Sequence, residues 1–156
     1  MEFETSGQQA CYEKIAPWME ELFGDSLIPY EMEPVFSINL GSAIAYTKVA
    51  PWDFDDAIII TRSFVVTDIT INSDLMYYLL HLNESLLFGA FGLDSDDDII
   101  FEHNLIGSTC EKEELRMSVM SVVRIADEYD DEIVENWGGQ RALDRMLLKM
   151  MGTEEA

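Results

Sequence analysis

The stretch that decides the fold runs from Ser73 to Val134 and reads SDLMYYLLHLNESLLFGAFGLDSDDDIIFEHNLIGSTCEKEELRMSVMSVVRIADEYDDEIV. Its two ends carry apolar residues three and four positions apart, which is the spacing that predicts amphipathic helices. Between them lie two short apolar runs, Leu86–Leu93 and Ile99–Leu105, joined by the acidic turn Asp94–Asp98. Short apolar runs bounded by a turn predict antiparallel strands. The stretch therefore predicts a helix, a hairpin of two strands and a longer helix.

The residues before this stretch predict one more helix and three more strands. Helical spacing marks Ser6–Phe23, where Pro17 is expected to kink or split the helix. Strands are expected in 35–40, in 43–49 and in Ala57–Thr67. Because Ala57–Thr67 is apolar at both odd and even positions, it predicts a central strand that is covered on both faces.

The element order predicts the fold class. Including a terminal helix over about 140–151, the chain reads α-β-β-β-α-β-β-α plus an extra C-terminal helix. Strands joined by short turns and separated by single helices predict an α+β fold with a mainly antiparallel sheet, in a single domain over 1–156. The predicted N-cap residues of the first three helices are Ser6, Ser73, and Ser108 with Glu111 in a capping box.

The charge of the chain limits its partners. Thirty-one acidic residues face nine basic ones, and the formal net charge is −22. Such a surface repels nucleic-acid phosphates and anionic lipid headgroups, so we expect neither nucleic acid nor membrane as a partner. The acids are concentrated: residues 94–135 hold fourteen acids and three bases, whereas residues 136–156 hold three of each.

The candidate chemical motifs are incomplete. The turn Asp94–Asp98 resembles the start of a calcium loop, but Ile99 stands where the loop needs glycine and Leu105 where it needs glutamate. His81 and His103 have no cysteine or histidine three or four positions away, as a metal site would need. No nucleophile or phosphate-binding motif is present. We therefore predict no metal, no cofactor, no small-molecule substrate and no enzymatic activity.

Two cysteines, Cys11 and Cys110, are far apart in the sequence and form no CxxC motif. Reduced thiols are the expected state of such cysteines, which is typical of a cytoplasmic protein. The first residues, MEFETSGQQ, show neither the basic nor the apolar region of a secretory signal.

Two groups of residues are candidates for contact with a partner. Aromatic residues and methionines near the middle of the chain exceed what one helix and two strands need to bury, so a homodimer contact is expected there. The residues proposed for this contact are Met76, Tyr77, Phe88 and Phe91.

The second group is a basic stripe in the terminal helix, formed by Arg141, Arg145 and Lys149 at every fourth position. Its simplest interpretation is a packed helix with cations near its C-terminus. The alternative is a docking helix whose basic edge meets the acidic face of its own or another subunit.

The passage DLMYYLLHLNESLLFGAFGLDSDDDIIFEHNLIG, followed by a capped long helix, resembles the YbjN-like family and the wider superfamily of type III secretion chaperone-like domains. The resemblance covers about residues 5–135, and the terminal helix and Pro17 depart from it. It implies the α-β-β-β-α-β-β-α architecture, small acidic homodimers and non-enzymatic binding of other polypeptides. A role in secretion does not follow, because a fold does not fix a function.

The sequence therefore favours a chaperone-like or regulatory domain that binds protein partners. The alternative is an acidic mimic of nucleic acid that blocks a basic site on another protein, and an enzyme is the least favoured class.

Overall fold

The structure is a computed structural model, which describes residues 1–151 apart from the side chains of Leu148 and Lys149. In chain order its elements are α1 (Ser6–Phe23), a 3-10 turn (Gly24–Ser26), β1 (Leu27–Pro29), β2 (Val35–Leu40), β3 (Ala43–Trp52), β4 (Asp56–Thr67), α2 (Ser73–Ser85), β5 (Ala90–Leu93), β6 (Ile99–Ile106), α3 (Lys112–Trp137), β7 (Gln140–Arg141) and α4 (Ala142–Met150). The predicted α+β class and element order, including the C-terminal helix, are confirmed.

The described strands form one sheet of seven, in the order β1-β2-β3-β4-β6-β5, with β7 beside the end of β4. Every pair is antiparallel. Val66 of β4 pairs with Ile99 of β6 on one side and with Arg141 of β7 on the other. The strand β7 therefore lies along the same edge of β4 as β3, beyond the end of β3. This places β4 at the centre of the sheet.

The core lies between one face of this sheet and the helices α1 and α3. The β4 residues Ala57, Ile59 and Val65 are fully buried on this face. Their neighbours in the same core include Ile15 and Met19 of α1 and Val119, Val122 and Val123 of α3. Two buried hydroxyls on this face, Thr47 Oγ1 and Thr61 Oγ1, lie 3.0 Å apart and satisfy one another.

The N-cap residues of the first two helices lie one position earlier than the sequence predicts, although α1 spans Ser6–Phe23 as predicted. Thr5, not Ser6, caps α1 by accepting a hydrogen bond from the backbone N–H of Gln8 at 3.1 Å. Asn72, not Ser73, caps α2 in the same way, because its Oδ1 accepts from the backbone N–H of Leu75 at 2.9 Å.

The predicted capping box of α3 is wrong. The helix begins after Glu111, whose side chain makes no capping hydrogen bond. Ser108 instead donates from its Oγ to Asp56 Oδ2 at 2.5 Å and from its backbone N–H to Asp56 Oδ1 at 2.9 Å. The serine therefore ties the end of β6 to the start of β4.

Two further predictions are corrected in extent. The helix α1 is not split, since it runs unbroken through Pro17, which lies on its exposed side. The strand predicted over Leu86–Leu93 is only Ala90–Leu93. Gly89 has a φ of +83°, and a Cβ there would lie 2.6 Å from Phe101 Cε1, so the chain turns sharply before β5.

Candidate functional site

The face of the sheet opposite α1 and α3 carries apolar residues on both sides of a polar middle formed by Lys48, Arg62, Glu102 and Asn104. Because successive side chains of a strand point to opposite faces, Ile58, Ile60 and Phe64 lie on the other side of β4 from its buried residues. All three are only half-buried. The prediction that β4 is covered on both faces is therefore correct only at one end, where α4 lies.

The strand register shows what surrounds these residues. Ile58 pairs with Ala50 of β3 and with Ile106 of β6, which is 45% exposed. The next residue on this side, Ile60, pairs with the exposed Lys48 of β3 and the exposed Asn104 of β6. Beyond it Arg62 pairs with Glu102, and its Nε donates to Glu102 Oε2 at 2.5 Å. The apolar residues on this side of the sheet, called here the outer face, are Ile44, Tyr46, Ala50, Ile58, Ile60, Phe64 and Ile106.

The helix α4 covers one end of the outer face. Leu143 and Met146 of α4 line an open cavity of about 360 Å³ together with Ile44, Tyr46 and Phe64. The other end of the outer face, around Ile58 and Ile60, lies beyond this cavity. The outer face is thus divided into a part under α4 and a part that the described residues leave uncovered.

Acidic residues meet Arg145 of α4 and also Arg141, which lies in β7 and not, as predicted, in the terminal helix. Arg141 binds Asp144 through Nε at 2.8 Å and lies 3.3 Å from Asp131 through Nη1. Arg145 Nη1 lies 3.8 Å from Asp68 Oδ1. The basic stripe predicted for this helix therefore meets acids of its own subunit at Arg141 and Arg145, whereas the side chain of Lys149 lies outside the described residues.

Asp98 lines the same cavity as Arg145. Burial raises the pKa of its carboxyl, the nearby Asp94 carboxylate adds to this rise, and the guanidinium of Arg145 opposes it. Within the turn itself, Asp94 Oδ1 accepts hydrogen bonds from the backbone N–H groups of Asp96 and Asp98 at 2.9 and 3.0 Å. Hydrogen bonds from backbone N–H groups to the Asp94 side chain therefore hold the acidic turn in place beside α4.

A second apolar surface lies on α2 and the loop that follows it. Tyr77 and Leu80 are each 67% exposed, and Leu87 is 90% exposed. Together with Met76 and Phe88 they form what is called here the α2 patch. Leu80 and Leu87 were missed by the sequence analysis, although Leu80 lies one turn after Tyr77 and Met76.

Phe91 does not belong to the α2 patch. It is 6% exposed and its ring packs edge-on against Phe101 and Tyr129, with centroids 4.9 and 5.9 Å away. Phe88 precedes β5, and its ring contacts His103, which lies on the same face of β6 as Phe101. Phe91 therefore offers almost no surface to a partner.

Phe88 also lines a second pocket, at the edge of the sheet. The pocket has a volume of about 360 Å³ and is lined by Phe88, Leu105 and Met117, with Glu113 and Glu114 at its rim. His103 lies within it, with Nδ1 2.7 Å from Ser118 Oγ. Burial lowers the pKa of this imidazole, so the neutral form is favoured there.

The thiols offer little nucleophilic chemistry. Cys11 and Cys110 are both unpaired and buried. Burial, opposed in part by Lys14, raises the pKa of Cys110 to about 11, so the thiol keeps its proton at neutral pH. Among the described residues there is no group of three or more histidine, cysteine or acidic side chains placed to hold a metal ion.

These features define a class of protein whose partly open apolar sheet face is suited to binding another polypeptide. The chain matches, over residues 11–145, the family model described as T3SS (YopN, CesT) and YbjN peptide-binding chaperone 1, and it belongs to this family. Its partners are therefore polypeptides. Among curated proteins, no match to the chain is found. No helix in the described part of the chain is both long and apolar enough to cross a membrane.

Proposed function

We propose that this chain binds an apolar segment of another polypeptide on the outer face, without catalysing a reaction. The observation that carries the proposal is the second side of the central strand, where the apolar residues Ile58, Ile60 and Phe64 are only partly buried. An antiparallel sheet whose second face meets only water normally carries polar residues there. An apolar face of this kind is typical of a binding surface.

The charge around the outer face favours a basic segment. The chain carries a net charge of −22, and Asp96 and Asp98 stand beside Phe64 in the cavity under α4. A segment that alternates apolar residues with lysine or arginine would bury the apolar side chains and place the cations near these acids. We propose that the chain acts in the cytoplasm, where newly made polypeptides expose apolar segments for it to bind.

The test uses a fluorescent peptide of about ten residues that alternates leucine and lysine, the length of a long strand. Wild-type protein is expected to bind it, and Ile58→Glu should weaken binding at least about tenfold by placing a carboxylate between the apolar Ala50 and Ile106. Met32→Glu, which adds the same charge at a residue 77% exposed in a loop, is the matched control. Equal loss in both variants, or none in either, would contradict the proposed surface.

A peptide of the same length with serine in place of leucine separates this function from mimicry of nucleic acid. Apolar recognition predicts that the serine–lysine peptide binds far more weakly than the leucine–lysine peptide. If both bind equally and lose binding together as salt rises, charge alone is recognised and the acidic mimic is the better description.

We also propose that the chain is a homodimer joined through the α2 patch. Met76, Tyr77, Leu80, Leu87 and Phe88 form an exposed apolar area that the subunit does not cover. Solvent-exposed apolar areas of this kind mark association surfaces, and aromatic residues and methionine are enriched at their centres. A symmetric dimer would place two copies of the patch against each other.

Light scattering at tens of micromolar protein tests the dimer. Tyr77→Asp is expected to yield monomers because an unpaired charge would be buried in the contact. Phe54→Asp, at a residue 94% exposed in the β3–β4 turn, is the matched control and should leave the dimer intact. A monomeric wild type would refute the dimer, and a dimeric Tyr77→Asp variant would exclude this patch as its interface.

A further inference from the structure

We infer that α4 is a displaceable internal ligand of the outer face, and that a polypeptide partner competes with it for that face. The residues that meet are Leu143 and Met146 of α4 and Ile44, Tyr46 and Phe64 of the sheet. This competition deepens the function proposed above and rests on it, because α4 regulates binding only if the outer face binds a polypeptide.

The contact between α4 and the sheet is incompletely packed. A cavity of about 360 Å³, open to solvent, remains between Leu143, Met146 and the sheet residues. Side chains that line such a space lose part of their dispersion contacts. Since larger apolar side chains could fill it, a partner has room to make better contacts there than α4 makes.

The helix has few other attachments. It has nine residues, and a helix of that length has little stability of its own in water. On the other side of the helix Leu147 and Met150 are 46% and 76% exposed, so that side makes few packing contacts. The strand β7, which precedes it, joins β4 through only two residue pairs. The helix is therefore held mainly by the outer face and by the ion pairs of Arg141 and Arg145.

The arginines indicate the chemistry of the competing partner. Arg141 pairs with Asp131, and Arg145 with Asp68, so the segment on the sheet presents two apolar residues three apart, with one cation before them and one between them. A partner that presents apolar residues flanked by arginine or lysine meets the same apolar residues and the same acids. It therefore replaces both kinds of contact that α4 makes.

The probe for this competition is the synthetic peptide of residues 140–151, labelled with a fluorophore and added to the full-length chain. In the variant Leu143→Glu/Met146→Glu the helix should leave the outer face. If α4 occupies the face in about nine of ten wild-type molecules, freeing it raises the apparent affinity for the peptide about tenfold. The variant Leu147→Glu/Met150→Glu adds the same charges on the exposed side of α4 and should bind as wild type does.

Hydrogen exchange of the wild-type chain provides a readout that needs no variant. Saturating peptide should speed exchange in residues 142–151 and slow it in residues 44–46 and 58–64. Faster exchange in α4 together with tighter binding by Leu143→Glu/Met146→Glu supports the inference. Equal binding by wild type and both variants, or protection of α4 on adding peptide, would overturn it.

The two proposals fail in different ways. If the leucine–lysine peptide binds wild type and Leu143→Glu/Met146→Glu equally, the outer face binds polypeptides but α4 does not compete. If that peptide binds neither protein while the 140–151 peptide binds the variant more tightly than wild type, α4 is a ligand of the face and the proposed recognition of extended segments is wrong.

Discussion

Ser42 lies between two carboxylates of α3 and has only one proton to donate. Its Oγ is 2.8 Å from Asp127 Oδ1 and 2.5 Å from Asp130 Oδ2, and its backbone N–H donates to Asp127 Oδ1 at 2.7 Å. These hydrogen bonds lower the pKa of Asp127, whereas burial raises the pKa of Asp130, which is 2% exposed. All contacts are satisfied when Ser42 donates to Asp127 and a protonated Asp130 donates to Ser42 Oγ.

Asp130→Asn is therefore expected to stabilise the chain at pH 7. The folded pKa of Asp130 is raised, so its contribution to stability is complete below its unfolded pKa of about 4 and is lost as pH rises through the folded value. Asparagine keeps a donor to Ser42 without a charge, so we expect the free energy of unfolding at pH 7 to rise.

Urea unfolding at pH 7 and at pH 4 measures this effect. The advantage of Asp130→Asn over wild type should shrink at pH 4, because the raised pKa of Asp130 means that more of the wild-type carboxyl is protonated there than at pH 7. Glu135→Gln, at an exposed position of the same helix, is the matched control and should change stability by a few tenths of a kcal/mol at most. A variant that is less stable than wild type at pH 7 would contradict the assignment.

Phe91 shows how far single residues could be predicted from sequence. The alternation of a strand predicts Phe88 and Phe91 on opposite faces, but Phe88 lies before β5 and contacts His103, on the same face of β6 as the Phe101 that Phe91 contacts. This arrangement depends on Gly89, whose left-handed backbone bends the chain before β5, and on Asn83. The Asn83 Oδ1 accepts from the backbone N–H of Phe91 at 2.7 Å, a contact between elements that local patterns do not encode.

The start of α2 depends on Asn72, and this gives a prediction at the scale of a single helix. Its Oδ1 satisfies the N–H of Leu75, which otherwise has no partner in the first turn. Asn72→Ala should lower the free energy of unfolding by about 1 kcal/mol, as loss of an N-cap does. Chemical unfolding measures the change.

The neighbouring serine is the control for this helix. Ser73 was the cap that the sequence predicted, yet it is the first residue of the helix, where its side chain makes no described capping bond. Ser73→Ala should therefore change stability by only a few tenths of a kcal/mol. A larger loss of stability from Ser73→Ala than from Asn72→Ala would show that Ser73, and not Asn72, caps the helix.

At the level of elements, the sequence predicted the long segments and missed the short ones. The helices and the strands β2, β3, β4 and β6 carry enough residues for a period to be visible. The strands β1 and β7 have three and two residues, and they exist because β2 and β4 offer them pairing partners. The outer face was missed as a site because the apolar pattern of β4 predicts cover on two faces but not how much of a face is covered.

Across the whole molecule, repulsion between acids should limit stability. The exposed side of α3 brings Glu128, Asp131, Glu132 and Glu135 close together, and ion pairs compensate few of them. These charges lie in or near water, where salt screens them effectively. The chain as a whole has a net charge of −22, so screening should relieve more repulsion than attraction.

The melting temperature should therefore rise between about 0.01 M and 0.1 M NaCl, as the screening length falls from about 30 to about 10 Å. A relief of about 1 kcal/mol corresponds to a rise of about 4 °C in a domain of this size. Glu128→Lys, within the acidic side of α3, should raise the melting temperature at low salt and reduce the slope. Glu2→Lys changes the net charge equally at the exposed N-terminus and should do less, because fewer acids surround it. If both variants have the same effect, the net charge rather than the crowding of acids on α3 is responsible. A wild-type melting temperature that falls with salt would show that attractive pairs such as Arg141–Asp131 outweigh the repulsion.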